Sequence, residues 1–151
     1  MGKTSYENFF RNANQKTIGG YAMKVLLVEP NTIPREIEIA PGVKSLQDIV
    51  GGTFSATYPY EDPVGLVVND DGKYLGLPLN RAIRDENGVA YDTIAGNFLV
   101  VGLKANDFTD LSPALMEKYR ELFYEPEIFI EFENQLLVFK VPRYAFDTPS
   151  N

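Results

Sequence analysis

The sequence predicts an α+β fold: a single domain with a mainly antiparallel or mixed sheet, two short helices and a C-terminal β-hairpin. Three observations carry this expectation. Short apolar or alternating runs recur along the chain and are bounded by Gly, Pro, Asn and Asp. Only two later stretches combine helical spacing with start and stop signals. The run "EIFIEFENQLLVFKV" at 127–141 reads as two strands about one turn.

The elements follow in order. "KVLLVE" (24–29) is apolar and stops at Pro30, which marks a buried strand. "REIEIA" (35–40) alternates, with Ile37 and Ile39 inward and Arg35, Glu36 and Glu38 largely outward, between Pro34 and Pro41. The two strands are expected to form a hairpin across "PNTI". "SLQDIVGG" (45–52) predicts a short helix, with Ser45 and Asp48 at capping-box spacing and Gly51 closing it. "TFSATYPY" (53–60) and "VGLVVND" (64–70) predict strands. Asp71-Gly72 is expected to turn the chain into a returning strand, "KYLGL" (73–77). Asn87-Gly88 marks a second tight turn, and "NFLVVGL" (97–103) the next buried strand. "SPALMEKYRELF" (112–123) is the best helix: Ser112 caps it, Pro113 takes the first position, and Leu115, Tyr119 and Leu122 line one stripe with Met116 and Phe123 beside it. The last hairpin is expected to turn at Glu133-Asn134, with Ile128, Ile130 and Phe132 on one face and Glu127, Glu131, Glu133 and Phe129 on the other.

Three zones result. Residues 1–22 are an appendage: an arm, an alternative start or a remnant of expression, with Tyr6, Phe9, Phe10 and Ala13 at helical spacing. Residues 23–126 form the core domain, and 127–151 the C-terminal hairpin and tail.

Composition excludes several chemistries. The chain has no Cys and no His. Disulfides, thiolate zinc sites, cysteine nucleophiles, imidazole bases and Ser-His-Asp triads are therefore closed to it. A metal could be held only by oxygen ligands, which restricts the candidates to Mg²⁺, Ca²⁺ or Mn²⁺, and no cofactor is expected. No apolar run approaches the ~18 residues of a membrane span, and a cytoplasmic protein without membrane association is expected. Net charge is −7, with +2 in residues 1–22 and −9 in the remainder, so direct binding of duplex DNA is not expected.

One stretch stands apart. Residues 72–84 hold Lys73, Arg81 and Arg84 with no acid among them, and Asn80 lies beside Arg81. An arginine fork suits phosphates and carboxylates, so Lys73, Asn80, Arg81 and Arg84 are candidates to clamp an anionic ligand. Tyr58, Tyr60 and Tyr91 could stack on its base. The competing reading is a structural clasp, with an arginine paired to Asp85, Glu86 or Asp92 and Asn80 satisfying backbone groups. The glycines match neither GxxxxGK nor GxGxxG. The adjacent acids Glu61-Asp62, Asp70-Asp71 and Asp85-Glu86 read as loop charges rather than as acid–base dyads. Segment 105–133 has eight acids against Lys118 and Arg120 and reads as a guarded strand edge or an acidic docking face.

The segments "MKVLLVEP", "LQDIVGG", "YPYEDPVGLVVNDDGKYLGLPLNRAIRDENG", "YDTIAGNFLVVG" and "PALMEKYRELF" resemble, in that order, domain-of-unknown-function family 3846. The resemblance covers roughly Met23 to Ile128, and "GLPLNRAIRDENG…YDTIAG" is its most distinctive part. It implies an origin in phages, mobile elements or Gram-positive bacteria, and no established activity. The leading expectation is a non-enzymatic accessory protein that binds a host protein and antagonises host defence. Alternatives are a module that binds or sequesters a nucleotide, an acidic DNA mimic, and a carboxylate-metal hydrolase built on Asp70, Asp85 or Asp92. A homo-oligomer is possible, with the C-terminal hairpin supplying a shared strand.

Overall fold

The computed structural model describes residues 22–145. The amphipathic spacing at Tyr6–Ala13 lies outside the described residues, as does the tail from residue 146.

Strands β1 (Met23–Val28) and β2 (Arg35–Ile39) form the expected hairpin, with Val25 opposite Ile37. Helix α1 (Val43–Val50) follows, then β3 (Phe54–Thr57) and β4 (Val64–Asn69). Strands β5 (Leu79–Arg84) and β6 (Ala90–Ala95) form a hairpin of their own. β7 (Phe98–Lys104) turns into the short β8 (Asp107–Thr109), helix α2 (Pro113–Leu122) follows, then β9 (Glu127–Phe132) with β10 (Gln135–Lys140), and a single 3-10 turn (Arg143–Ala145) comes last among the described residues. Every strand pairing among the described residues is antiparallel.

The main sheet runs β2-β1-β7-β4-β3, with β8 also on β7. Its central strands are almost wholly apolar, apart from Lys24 in β1 and the last residues of β4 and β7, because both faces are covered. Val25, Leu27, Val67, Leu99 and Val101 pack beneath Leu46 and Val50 of α1. Leu26, Val28, Leu66, Phe98 and Val100 point the opposite way, against Met116 and Tyr119 of α2, Phe123 at its C-terminal end, and Ile83 and Ile94 of the β5–β6 hairpin. The molecule thus has three layers: α1, the sheet, and a layer made jointly by α2 and β5–β6.

Local chemistry sets the boundaries. Ser112 Oγ accepts from Leu115 N–H, and Pro113 occupies the first turn of α2. Gly51 takes the left-handed conformation (φ 85°) at the end of α1. α1 begins two residues before the expected start, behind Gly42, which has no side chain to cap it. Asp48 pairs with Lys44 instead of completing a capping box with Ser45. The strand expected over 53–60 ends at Thr57, before Pro59.

The returning strand expected at 73–77 is corrected. Residues 71–76 coil as successive turns, with Leu75 N–H donating to Asp71 O (2.8 Å) and Leu77 N–H to Gly72 O (3.0 Å). The cause is packing at Gly72: a Cβ there would lie 2.7 Å from the Ala95 carbonyl oxygen. The chain leaves β4 pressed against the end of β6 and pairs again only from Leu79.

Gly102 is a tighter point still. A Cβ on it would lie 2.1 Å from the Asp110 carbonyl oxygen, where the segment after β8 folds back to β1. Lys24 N–H donates to Asp110 Oδ1 (2.8 Å), and Leu111 N–H to Lys24 O (2.9 Å). Gly102→Ala is expected to cost about 3 kcal/mol through this backbone clash. Gly88→Ala meets no atom within 4 Å, but it carries φ 80° and should cost only about 1 kcal/mol. Urea denaturation of the two variants beside wild type checks the ranking.

Candidate functional site

Asn80 and Arg81 are neighbours in β5, yet both side chains are inside, at 0% and 1% exposure. Neighbours in a regular strand point to opposite faces. Here the register with β6 shifts between Leu79 and Arg81, and this irregularity turns both inward. Arg81 Nε donates to the Phe123 carbonyl (3.0 Å) and Nη2 to that of Thr32 (2.7 Å). Its Nη1 donates to Asn80 Oδ1 (2.8 Å) and to the Asn80 carbonyl (3.2 Å). Asn80 Nδ2 donates in turn to the carbonyls of Val28 (2.9 Å) and Gly96 (2.8 Å).

The two side chains therefore form a clasp that joins the end of β1, the β1–β2 turn, the β6–β7 turn and the end of α2. The cation is solvated mainly by carbonyl oxygens, and one of them lies at the negative end of the α2 dipole. Burial draws the Arg81 guanidinium down to about 10, while the charge of Glu127 opposes the shift. It stays protonated at neutral pH.

Arg84 is also committed. Its Nη1 and Nη2 donate to Glu127 Oε1 and Oε2, both at 2.8 Å, in a two-pronged pair. Glu127 is buried at the start of β9, so this pair fastens the C-terminal hairpin to the domain. The bonds to Glu127 hold the Arg84 guanidinium above its usual range. Glu127, grouped by sequence with the edge-guarding acids, is thus an internal anchor. Its position opening a strand directly after Pro126 gave no hint of that.

The remaining candidates separate. Lys73 pairs with Asp92 at 2.6 Å on the surface. Burial opposes ionisation of Asp92, but the bonds from Lys73 and from Thr93 N–H hold its carboxyl below the usual range. Tyr58 packs on the α1 side of the sheet and Tyr60 on the α2 side. Tyr60 lies 5.1 Å from the Tyr119 ring, and burial raises its hydroxyl pKa. Tyr91 is exposed. The seven side chains do not converge on one cavity. Asp85 accepts from Asn87 N–H and Val89 N–H and shapes its own turn. Among the described residues, no three carboxylates are placed to hold a metal ion.

A second latch escaped the sequence reading. Asp62 accepts from Lys118 Nζ and, at 2.7 Å, from Tyr119 OH, which ties the β3–β4 connection to α2. These two bonds hold its carboxyl below the usual range. Burial, with Asp62 adding to it, raises the Tyr119 hydroxyl.

With those groups committed, two surfaces stand out. The first is a cleft of about 440 Å³ lined by Ser55, Thr57, Asp70, Lys73, Asp92 and Thr93 among others. At its rim the 71–76 turn presents Tyr74, 95% exposed, and the next residue, Leu75, is exposed as well. Asp71 N–H donating to Asn69 Oδ1 (2.8 Å) and Gly72 packing on Ala95 hold that turn in place. The second is the outer face of the β9–β10 hairpin. No helix among the described residues is long and apolar enough to cross a membrane.

These features define a small three-layer α+β domain whose central arginines serve its own architecture. The chain matches the family model "Domain of unknown function (DUF3846)" over residues 23–124, about two thirds of its length, and belongs to that family. The match includes the clasp and the cleft and ends before β9. No curated protein and no solved structure matches the chain.

Arg81→Ala is expected to lower stability by about 2–4 kcal/mol, since Asn80 and three carbonyl groups lose a donor in a buried site. Arg81→Lys should recover little, because an ammonium cannot reproduce the planar fork. Equilibrium denaturation of both variants checks this. Asp62 gives a pH prediction. A carboxyl with a lowered folded pKa contributes stability that is fully present above its unfolded pKa and is lost as pH falls through the folded value. The stability difference between wild type and Asp62→Asn should therefore be constant near neutrality. It should shrink only as pH drops below the ordinary carboxylate range, as read by denaturation across a pH series.

Proposed function

We propose that this protein is a non-enzymatic accessory protein of phage or mobile-element origin, working in the host cytoplasm. It binds a host protein and antagonises host defence. The origin and the defence setting rest on the resemblance to the family. The contact itself rests on one observation: the fixed 71–76 turn holds Tyr74 in solvent at the mouth of the cleft, with exposed Leu75 next to it in the chain. Exposed aromatic and aliphatic side chains on a pre-ordered turn suit the centre of a protein interface, where large anchors at low ordering cost carry most of the affinity.

The cleft chemistry favours a particular kind of partner. Asp70 and Asp71 stand beside the Lys73–Asp92 pair, in a chain of net charge −7. A partner surface that offers an apolar pocket for Tyr74 and basic residues around it would complement this region.

The test is affinity capture from host lysate with wild-type protein and with Tyr74→Ala/Leu75→Ser. Both positions are exposed, so the double variant should keep its stability within about 0.5 kcal/mol. A stoichiometric partner retained by wild type and lost by the variant is the expected result. Equal capture by both, or capture by neither, would count against this reading.

A further inference from the structure

The β9–β10 hairpin turns the less expected of its two faces to the domain. Its register pairs Ile128 with Phe139, Ile130 with Leu137 and Phe132 with Gln135, so these six side chains share one face. The five apolar ones are exposed by 37–60%. The opposite face carries Glu127, Phe129 and Val138, with exposed Glu131, Leu136 and Lys140 further along it, and it is this face that meets β5 through the Arg84–Glu127 pair. A hairpin with one apolar face ordinarily buries it. A lone two-stranded sheet is also marginal in water without a cover.

We propose that a second copy of this chain covers that face, giving a two-fold dimer through stacked C-terminal hairpins. Three observations favour a second copy. The face has no charged residue, although the chain carries −7, so two copies can meet there with no like charges in direct opposition. The face is self-complementary about a two-fold axis lying across the strands at the Ile130–Leu137 pair. That axis sets the tip of one hairpin over the base of the other and the two domain bodies at opposite ends. Phe132 then meets the partner's Ile128, and Ile130 meets the partner's Ile130. The five side chains expose roughly 500 Å² per copy, so the pair would bury roughly 1,000 Å², the lower limit of a specific interface. The dimer should accordingly be weak and concentration-dependent. The contact is independent of the Tyr74 surface, which lies on a different part of the domain.

The full-length chain should be followed by sedimentation velocity from low micromolar to near-millimolar concentration. The weight-average mass should rise from 16.9 kDa toward twice that value. Ile130→Asp and Ile130→Lys should each stay at the monomer mass with wild-type circular dichroism, because the position is half-exposed. A mixture of the two variants should regain the dimer, since opposite charges would then face each other across the axis. A wild type that is monomeric at every concentration would overturn the proposal and leave the face to residues 1–21 or to another protein. A dimer that survives both single variants would overturn it as well, as would a mixture that stays monomeric. Capture of a host partner by Ile130→Asp should be unchanged, so the two proposals can fail separately.

Discussion

The guanidinium of Arg81 sits where four chain segments finish: β1 at Val28, the turn at Thr32, the β6–β7 turn at Gly96 and helix α2 at Phe123. Directly or through Asn80, it reaches a carbonyl oxygen in each. Segment ends are where backbone carbonyls lose their regular partners, and leaving such groups buried and unpaired is costly. One planar donor fork and one amide satisfy them together. The exchange is reciprocal, because a buried cation is itself expensive unless oxygen atoms surround it. The layer made by α2 and the β5–β6 hairpin is therefore pinned to the sheet by hydrogen bonds at one end and by the Leu26–Phe98–Tyr119 core along its length.

This arrangement bears on how an arginine-rich stretch is read. Lys73, Arg81 and Arg84 are close in sequence, with no acid between them, and that spacing suggests a common ligand. The partners come from far along the chain: Thr32, Phe123 and Glu127 are all more than 40 residues away. Local charge counting has no access to them. Asn80 and Arg81 also break the period-2 pattern by pointing inward together, so β5 shows no strand signature. Its partner β6 opens with exposed Ala90, Tyr91 and Asp92 and shows none either.

Elsewhere the sequence was legible because its cues are local. β1 and β2 are bounded by prolines, α2 by Ser112 and Pro113, the β5–β6 turn by Asn87-Gly88, and the last hairpin by Glu133-Asn134, both of which take positive φ. Asp71-Gly72 misled for the complementary reason. Its sequence suits a hairpin turn, but the close approach of Gly72 to Ala95 is a tertiary demand that no local pattern encodes. The same holds for the Asp62 latch, which depends on α2 lying over the β3–β4 connection.

The amphipathic pattern of the C-terminal hairpin was plain, but not which face would turn inward. The two contributions can be compared. A bidentate Arg84–Glu127 pair in a mostly buried setting contributes a few kcal/mol at most. Roughly 500 Å² of apolar surface, if taken out of water, is worth on the order of 10 kcal/mol as an upper estimate. If the isolated chain were the whole story, the apolar face would be the one to bury. Instead the hairpin spends its smaller contribution on the domain and keeps the larger one facing out. The two can be reconciled if the larger contribution is realised between chains. Glu127 then acts as an orienting residue: its carboxylate, held by Arg84 and accepting from Ala82 N–H, fixes the hairpin with its apolar face outward for association.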